Sequence, residues 1–215
     1  MGVPSVFVRT SGCNLRCSWC DTPYASWNPE GEEMRLDSIL ERIHAFDCDH
    51  IVLTGGEPMI AKGIHDLASH LRSAGKHITI ETAGTISPNG IACDLASISP
   101  KLANSTPTIE LAGKAWRDRH EQTRLQFDVL RQWVDHYSFQ LKFVVTDAQQ
   151  LEEIRELLIS LDRKIVPCKT LLMPEGVTAK VLNARSAWLA DVCKEFGYRF
   201  CPRLHIALFG NTRGT

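Results

Sequence analysis

A chain of 215 residues, 44% of them hydrophobic, can bury one substantial core, and a formal net charge of -1 gives it no electrostatic bias toward nucleic acid or an anionic membrane. Arg9 and the cysteine-rich stretch behind it interrupt any signal-peptide core, and no window approaches ~18 uninterrupted apolar residues, so no membrane span is expected. Eight cysteines could suggest a disulfide framework, but a chain of this size needs none, and free thiols fit a reducing cytoplasm.

In chain order, Val3 to Arg9 reads as an apolar strand, followed by a loop and a polar connection punctuated by Pro29-Glu30-Gly31. Leu36 to Phe46 has Leu36, Ile39, Leu40 and Ile43 at helical spacing. His50 to Leu53 is a short strand running into Thr54-Gly55-Gly56-Glu57-Pro58. Ile60 to Ala74 is a helix closed by Gly75, and Ile78 to Ile80 a strand meeting Glu81-Thr82-Ala83-Gly84-Thr85. A strand near Leu95 to Ile98 ends at Ser99-Pro100-Lys101. The polar stretch Leu102 to Thr123 is expected to be an irregular surface excursion. Leu125 to His136 reads as helix, Gln140 to Val145 as strand and Leu151 to Leu161 as an amphipathic helix. Thr170 to Met173 is a strand. Ala179 to Phe196 is a long helix with Leu182, Leu189, Val192 and Phe196 inward, and Tyr198 to Cys201 is a last strand before a polar tail.

Strands alternating with helices predict an α/β fold built from right-handed βαβ units. About six or seven mostly parallel strands are too few for an eightfold barrel, so an open, partial (β/α) barrel in a single domain spanning 1–215 is expected. Each polar motif falls just after the C-terminal end of a strand, where such barrels place their active sites.

The first of these motifs carries the most chemistry. Cys13, Cys17 and Cys20 stand in a CxxxCxxC loop, and three thiolates can hold three irons of a [4Fe-4S] cluster while leaving the fourth iron open. A zinc site is the bland alternative, but zinc favours four ligands, and Cys48, Cys93, Cys168, Cys193 and Cys201 are scattered without a second pair. Those five are expected to be small, buried apolar residues. Gly55 and Gly56 let a ligand approach the backbone closely, and Glu57 offers an acceptor for an ammonium group.

The CxxxCxxC spacing resembles that of radical S-adenosylmethionine (SAM) enzymes. The resemblance implies the radical SAM type of partial barrel, and SAM bound through its amino and carboxylate groups to the open iron. It also implies SAM contacts from Gly55, Gly56 and Glu57, from Ser99, Pro100 and Lys101 at the methionine carboxylate, and from Trp19, Cys20 and Asp21 near the adenine. Without the resemblance, Ser99 to Lys101 is a strand-ending turn and Trp19 a hydrophobic cover.

A narrower likeness covers nearly the whole chain. Gly2-Val3-Pro4-Ser5-Val6-Phe7-Val8-Arg9, Cys20-Asp21-Thr22, Thr54 to Pro58, Glu81 to Thr85, Ser99 to Lys101 and the ending His205 to Gly214 resemble the 7-carboxy-7-deazaguanine synthase family. That resemblance implies a carbon–nitrogen lyase of queuosine and 7-deazapurine biosynthesis. Its reaction would ring-contract 6-carboxy-5,6,7,8-tetrahydropterin with loss of ammonia, using the cluster, SAM and Mg2+, with SAM regenerated through a 5′-deoxyadenosyl radical. It further implies a homodimer, a reducing partner such as flavodoxin, and a C-terminal tail that closes over the substrate.

The residues suit such a substrate. Arg9 can take a carboxylate bidentately, Glu81 can accept paired N–H bonds from an aminopyrimidinone edge, and Thr22 offers a hard oxygen to magnesium. Thr54 and His205 complete the expected substrate contacts, with the terminal carboxylate of Thr215. Read blandly, Arg9 is a surface ion pair, Glu81 a strand-end cap, Thr22 a turn hydroxyl and His205 a structural histidine. Family members usually carry a Gln-Gly-Glu-Gly segment ahead of the Gly-x-Pro-Ser strand. The start at Met1-Gly2-Val3-Pro4 predicts either that the start is misassigned or trimmed or that another segment closes the pocket. The rival readings are a glycyl-radical-enzyme activating enzyme, which would have less use for Arg9, Glu81 and Thr22, and a non-enzymatic zinc or iron–sulfur module.

Overall fold

The computed structural model describes residues 2–214. Seven strands form one sheet in strict chain order: β1 (Val6–Thr10), β2 (His50–Gly55), β3 (His77–Thr82), β4 (Leu95–Ile98), β5 (Phe139–Val145), β6 (Thr170–Pro174) and β7 (Arg199–Phe200). Every pairing is parallel, so the chain crosses over between each pair of neighbours. The crossovers are α1 (Leu36–His44), α2 (Ile64–Ser73), α3 (Ile109–Thr123) with α4 (Phe127–His136), α5 (Gln149–Ser160) and α6 (Ala179–Phe196). A short α7 (Leu204–Phe209) follows β7.

Alternation along the strands separates two faces. Ile51 and Leu53 of β2, Ile78 and Ile80 of β3, Ile98 of β4, Leu141 and Phe143 of β5 and Leu172 of β6 are buried in one cluster with Leu67 and Leu71 of α2, Trp133 of α4 and Leu189 of α6. Each such aliphatic side chain contributes roughly 1.5–3 kcal/mol when fully buried, and this face holds the sheet to its helices. The intervening residues, Arg9, Thr54, Glu81, Ser97, Gln140 and Lys142, belong to the opposite face. Register sets Arg9 beside Thr54, Glu81 beside Ser97, and Ser97 beside Gln140.

The connection from β3 to β4 contains no helix. Its cover comes from α4, where the fully buried Trp133 donates its indole N–H to the Ile86 carbonyl at 2.9 Å. On the side where β1 and β7 are the two edge strands, segments bridge the gap. Arg203 joins Asp21 in an ion pair and donates to the Pro174 carbonyl, while Arg213 meets Glu30 at 2.7 Å and lies over the Tyr24 ring.

Four expectations from the sequence change, the burial of all five scattered cysteines among them. The stretch 102–123 is not an irregular excursion: a 3-10 turn, Ala103–Ser105, leads into α3, a helix kinked at Gly113. Its inward stripe of Ala112, Trp116, His120 and Thr123 has helical spacing but is not aliphatic, which hid it. Phe196, at the C-terminal end of α6, is 39% exposed rather than inward, whereas Leu182, Leu189 and Val192 are buried as expected. The tail after the last strand forms α7. Of the five scattered cysteines, Cys193 and Cys201 are buried, Cys48 and Cys93 half-buried, and Cys168 exposed.

Candidate active site

The polar motifs gather at the C-terminal ends of the strands. From β1 the chain enters the cysteine loop, in which Leu15, Cys17 and Ala83 form a small apolar cluster with Cys13, Trp19 and Cys20 packed on it. All three cysteines are free thiols. Burial pushes the Cys17 thiol up to about 12 and raises that of Cys13, in each case against the nearby Lys101 cation. The Leu15 amide donates to the Cys13 sulfur at 3.4 Å, and the Cys20 sulfur lies 3.1 Å from the Ser26 hydroxyl. The indole N–H of Trp19 is buried without a protein partner.

Among the described residues no three His, Cys, Asp or Glu side chains converge as they would around one metal ion. Three free thiols on one small apolar cluster, with an unused N–H donor beside them, suit a larger cluster whose sulfurs accept such bonds. The residues therefore fit a [4Fe-4S] group held by Cys13, Cys17 and Cys20.

Gly55 and Gly56 allow a close approach within the protein itself. A Cβ on Gly55 would stand 2.3 Å from the Thr10 carbonyl oxygen, and one on Gly56 2.2 Å from that of Gly12 and 2.3 Å from that of Ala25. The protein's own backbone comes close here: the Gly56 and Glu57 amides donate to the Thr10 and Gly12 carbonyls at 3.2 and 2.9 Å. Glu57 is 0% exposed, and its carboxylate accepts from the Met59 and Ala83 amides and the Thr82 hydroxyl. Burial raises its pKa against those donors. Glu57 ties the loop after β2 to the end of β3, with Oε1 taking two donors and Oε2 one.

Across from it, the Lys101 ammonium donates to the Ser99 carbonyl and hydroxyl, both at 2.8 Å, and sits 5.8 Å from the Trp19 ring centre. Pro100, between them, is buried. Asp21 is held by Arg203, and the Thr22 hydroxyl faces the Cys20 sulfur at 3.8 Å.

The charged part of the site lies on the non-aliphatic face of the sheet. Glu81 takes the Thr54 hydroxyl on one carboxylate oxygen and the Lys142 ammonium on the other, each at 3.1 Å. The Glu81 side chain is 34% exposed and that of Lys142 16%, so the carboxylate keeps an open side. Lys142 holds the Glu81 carboxyl below its usual range, with help from Arg9. Burial disfavours the Lys142 ammonium, but Glu81 and more distant Cys201 and Asp21 outweigh it and raise its pKa. His205, exposed at the start of α7, shares this field with Asp21, Arg203, Arg9 and Glu81. Thr215 lies outside the described residues.

The structure thus brings Arg9, Thr54, Glu81 and His205 into one charged group and Cys13, Cys17, Cys20, Trp19, Ser99 and Lys101 into another. Lys142 and Arg203 belong with the first group and were not singled out from the sequence. Lys142 did leave a signal: it is the one cation in the strand Phe-Gln-Leu-Lys-Phe-Val-Val.

Known proteins match this arrangement. Residues 7–106 match the radical SAM superfamily. The 7-carboxy-7-deazaguanine synthase of Rhodopirellula baltica is 46% identical over 215 residues, covering all of this chain and 82% of that protein. The chain belongs to the 7-carboxy-7-deazaguanine synthase family of the radical SAM superfamily. Membership implies a [4Fe-4S] cluster and SAM. The synthase of the same name from Halobacterium salinarum is 45% identical over 222 residues, with 100% and 86% of the two chains covered. The crystal structure of QueE from Escherichia coli superposes with a TM-score of 0.66 over 94% of this chain and 86% of that one, at 21% identity, and shows the same fold.

Proposed function

We propose that this chain converts 6-carboxy-5,6,7,8-tetrahydropterin to 7-carboxy-7-deazaguanine with loss of ammonia, in queuosine biosynthesis. Full-length identity to synthases of that name supports the reading, and the observation that carries it is the row Arg9–Thr54–Glu81 with Lys142 behind it. The substrate is a flat bicycle with a carboxylate at one end and an aminopyrimidinone edge at the other. Arg9 and Glu81 stand two strands apart, roughly 9–10 Å at the backbone, a span such a molecule can bridge. Arg9 takes the carboxylate as a bidentate donor. Glu81, kept ionised by Lys142, accepts the paired N–H groups of the other edge through its open side, and His205 donates or accepts from above.

When bound, the cluster with SAM supplies the radical chemistry, held by Cys13, Cys17 and Cys20. Around it the chain binds, orients and excludes water. Ser99 and Lys101 present a hydroxyl and a point charge suited to the SAM carboxylate, Gly55, Gly56 and Pro100 shape its bed, and Trp19 and Asp21 border its adenine. Thr22 offers its hydroxyl to a magnesium ion that keeps water and substrate as its other ligands. The contacts of Arg203 and Arg213 support the segment after β7 as a closing tail of one domain. A homodimer in the cytoplasm, reduced by a flavodoxin-like carrier, completes the proposal.

The test is anaerobic. The protein is reconstituted with iron and sulfide, reduced, given SAM, magnesium and 6-carboxytetrahydropterin, and followed by mass spectrometry. Formation of 7-carboxy-7-deazaguanine, lost in Cys17→Ala, is the expected result. SAM cleavage without that product contradicts the substrate, and a colourless protein carrying zinc contradicts the cluster.

A further inference from the structure

The helix that the sequence concealed, α3, is built against the cysteine loop. The Arg16 guanidinium lies 3.9 Å from the centre of the Trp116 ring and donates back to the Cys13 and Leu15 carbonyls at 2.9 and 2.8 Å. One turn on, His120 is 0% exposed and takes part in a chain of hydrogen bonds that fixes its tautomer. The Ser105 hydroxyl donates to the Leu102 carbonyl at 2.6 Å, so toward the imidazole, whose Nε2 is 3.0 Å away, it can only accept. Nε2 therefore carries the proton and Nδ1 the lone pair, and Nδ1 accepts the Arg16 backbone N–H at 3.1 Å. Burial, which lowers the pKa of His120 to about 4, keeps the ring neutral and the lone pair available.

The amides of the loop are thereby sorted. That of Leu15 points at the Cys13 sulfur, whereas that of Arg16 goes to His120 and that of Ser18 to the Ser105 carbonyl at 2.8 Å. The Trp27 indole N–H donates to the Cys17 carbonyl at 3.0 Å. The number of N–H donors aimed at cluster sulfurs is one of the quantities that set a cluster's reduction potential.

We propose that His120 is a positioning residue of the cluster loop: its neutral Nδ1 holds the Arg16 peptide with the N–H turned away from the three cysteines, fixing which amides the cluster sulfurs receive. This inference concerns the loop and does not rest on the pterin reading. A side chain that only filled space would serve with any shape near that of imidazole, whereas an orienting acceptor must be placed at Nδ1.

His120→Asn keeps an oxygen at the Nδ1 position, and His120→Gln keeps a group at the Nε2 position but nothing at Nδ1. Both are made in the full chain, reconstituted, and checked for iron content and unfolding midpoint. The readouts are the EPR spectrum and midpoint potential of the reduced cluster, with deuterium exchange at the Arg16 amide. The expected result is that His120→Asn keeps the wild-type spectrum and potential, while His120→Gln shifts both and exchanges the Arg16 amide at least tenfold faster. Equal behaviour of the two variants, whether both unchanged or both shifted alike, overturns the proposal. If His120→Gln does not load iron, deuterium exchange at the Arg16 amide is compared in the two apoproteins, and equal exchange in His120→Asn and His120→Gln overturns the proposal.

Discussion

The two faces of the sheet are made from the same strands and differ by one residue of register. One face carries Ile51, Leu53, Ile78, Ile80, Leu141 and Phe143, fully buried under the helices. The other carries Arg9, Thr54, Glu81 and Lys142, with an ion pair that keeps one carboxylate partly open. A partly buried ion pair contributes little to folding once desolvation is counted, and an aliphatic pair at the same depth would serve stability as well or better. The difference teaches that stability and recognition are separable here, strand by strand. A substitution on one face should move unfolding, and one on the other should move ligand affinity.

The largest expected effect breaks the chemistry without touching either face. Cys17→Ser should abolish product formation, because it removes one of the three thiols proposed to hold the cluster. The unfolding free energy of the apoprotein should change by less than ~1 kcal/mol, since the cysteine loop forms its own small cluster away from the main core. Urea unfolding alongside the mass-spectrometric assay measures both.

Leu53→Ala tests the aliphatic face. It should cost about 2–5 kcal/mol by urea unfolding, while the KM for the pterin in the surviving folded fraction stays near wild type. Gly56→Ala tests the junction between the faces and the loop. Its Cβ would meet two carbonyl oxygens at 2.2 and 2.3 Å, so β2 and the cysteine loop must part, with a stability loss of about 1–3 kcal/mol. Iron loading should fall with it, measured as iron per chain.

The sharpest effect on recognition belongs to Lys142→Met. Glu81 titrates below its ordinary range in the folded protein because of Lys142, so this carboxylate adds stability above its unfolded pKa, and that contribution is lost as pH falls through the depressed folded value. In Lys142→Met the loss should begin at higher pH. The acid limb of the pH dependence of kcat/KM should move upward in the same direction, which a pH series on both proteins measures.

How far the chain could be read from its residues follows the same division. The strands were legible because each is a short apolar run, and the cysteine loop because its spacing allows few chemistries. Lys142 was legible in principle, as a charge at an alternate position of an apolar strand. Glu57 and the two glycines were visible, but the partners they meet, the Thr10, Gly12 and Ala25 carbonyls, come from distant sequence and no local pattern announces them. The helix α3 was hidden because its buried stripe is Trp116 and His120, and its early turn is broken at Gly113. A histidine whose work is to accept one backbone amide leaves no periodic trace.

The most direct test of the separation is the KM of Glu81→Gln for 6-carboxytetrahydropterin, measured at saturating SAM. The amide keeps the shape and exposure of the carboxylate but withdraws the ionised acceptor that Lys142 and Thr54 orient. A KM raised roughly tenfold or more, the loss of about 1.4 kcal/mol of binding, with the unfolding midpoint unchanged, is the predicted result. An unchanged KM, or a variant that loses stability instead, would contradict the claim that this face of the sheet holds the substrate.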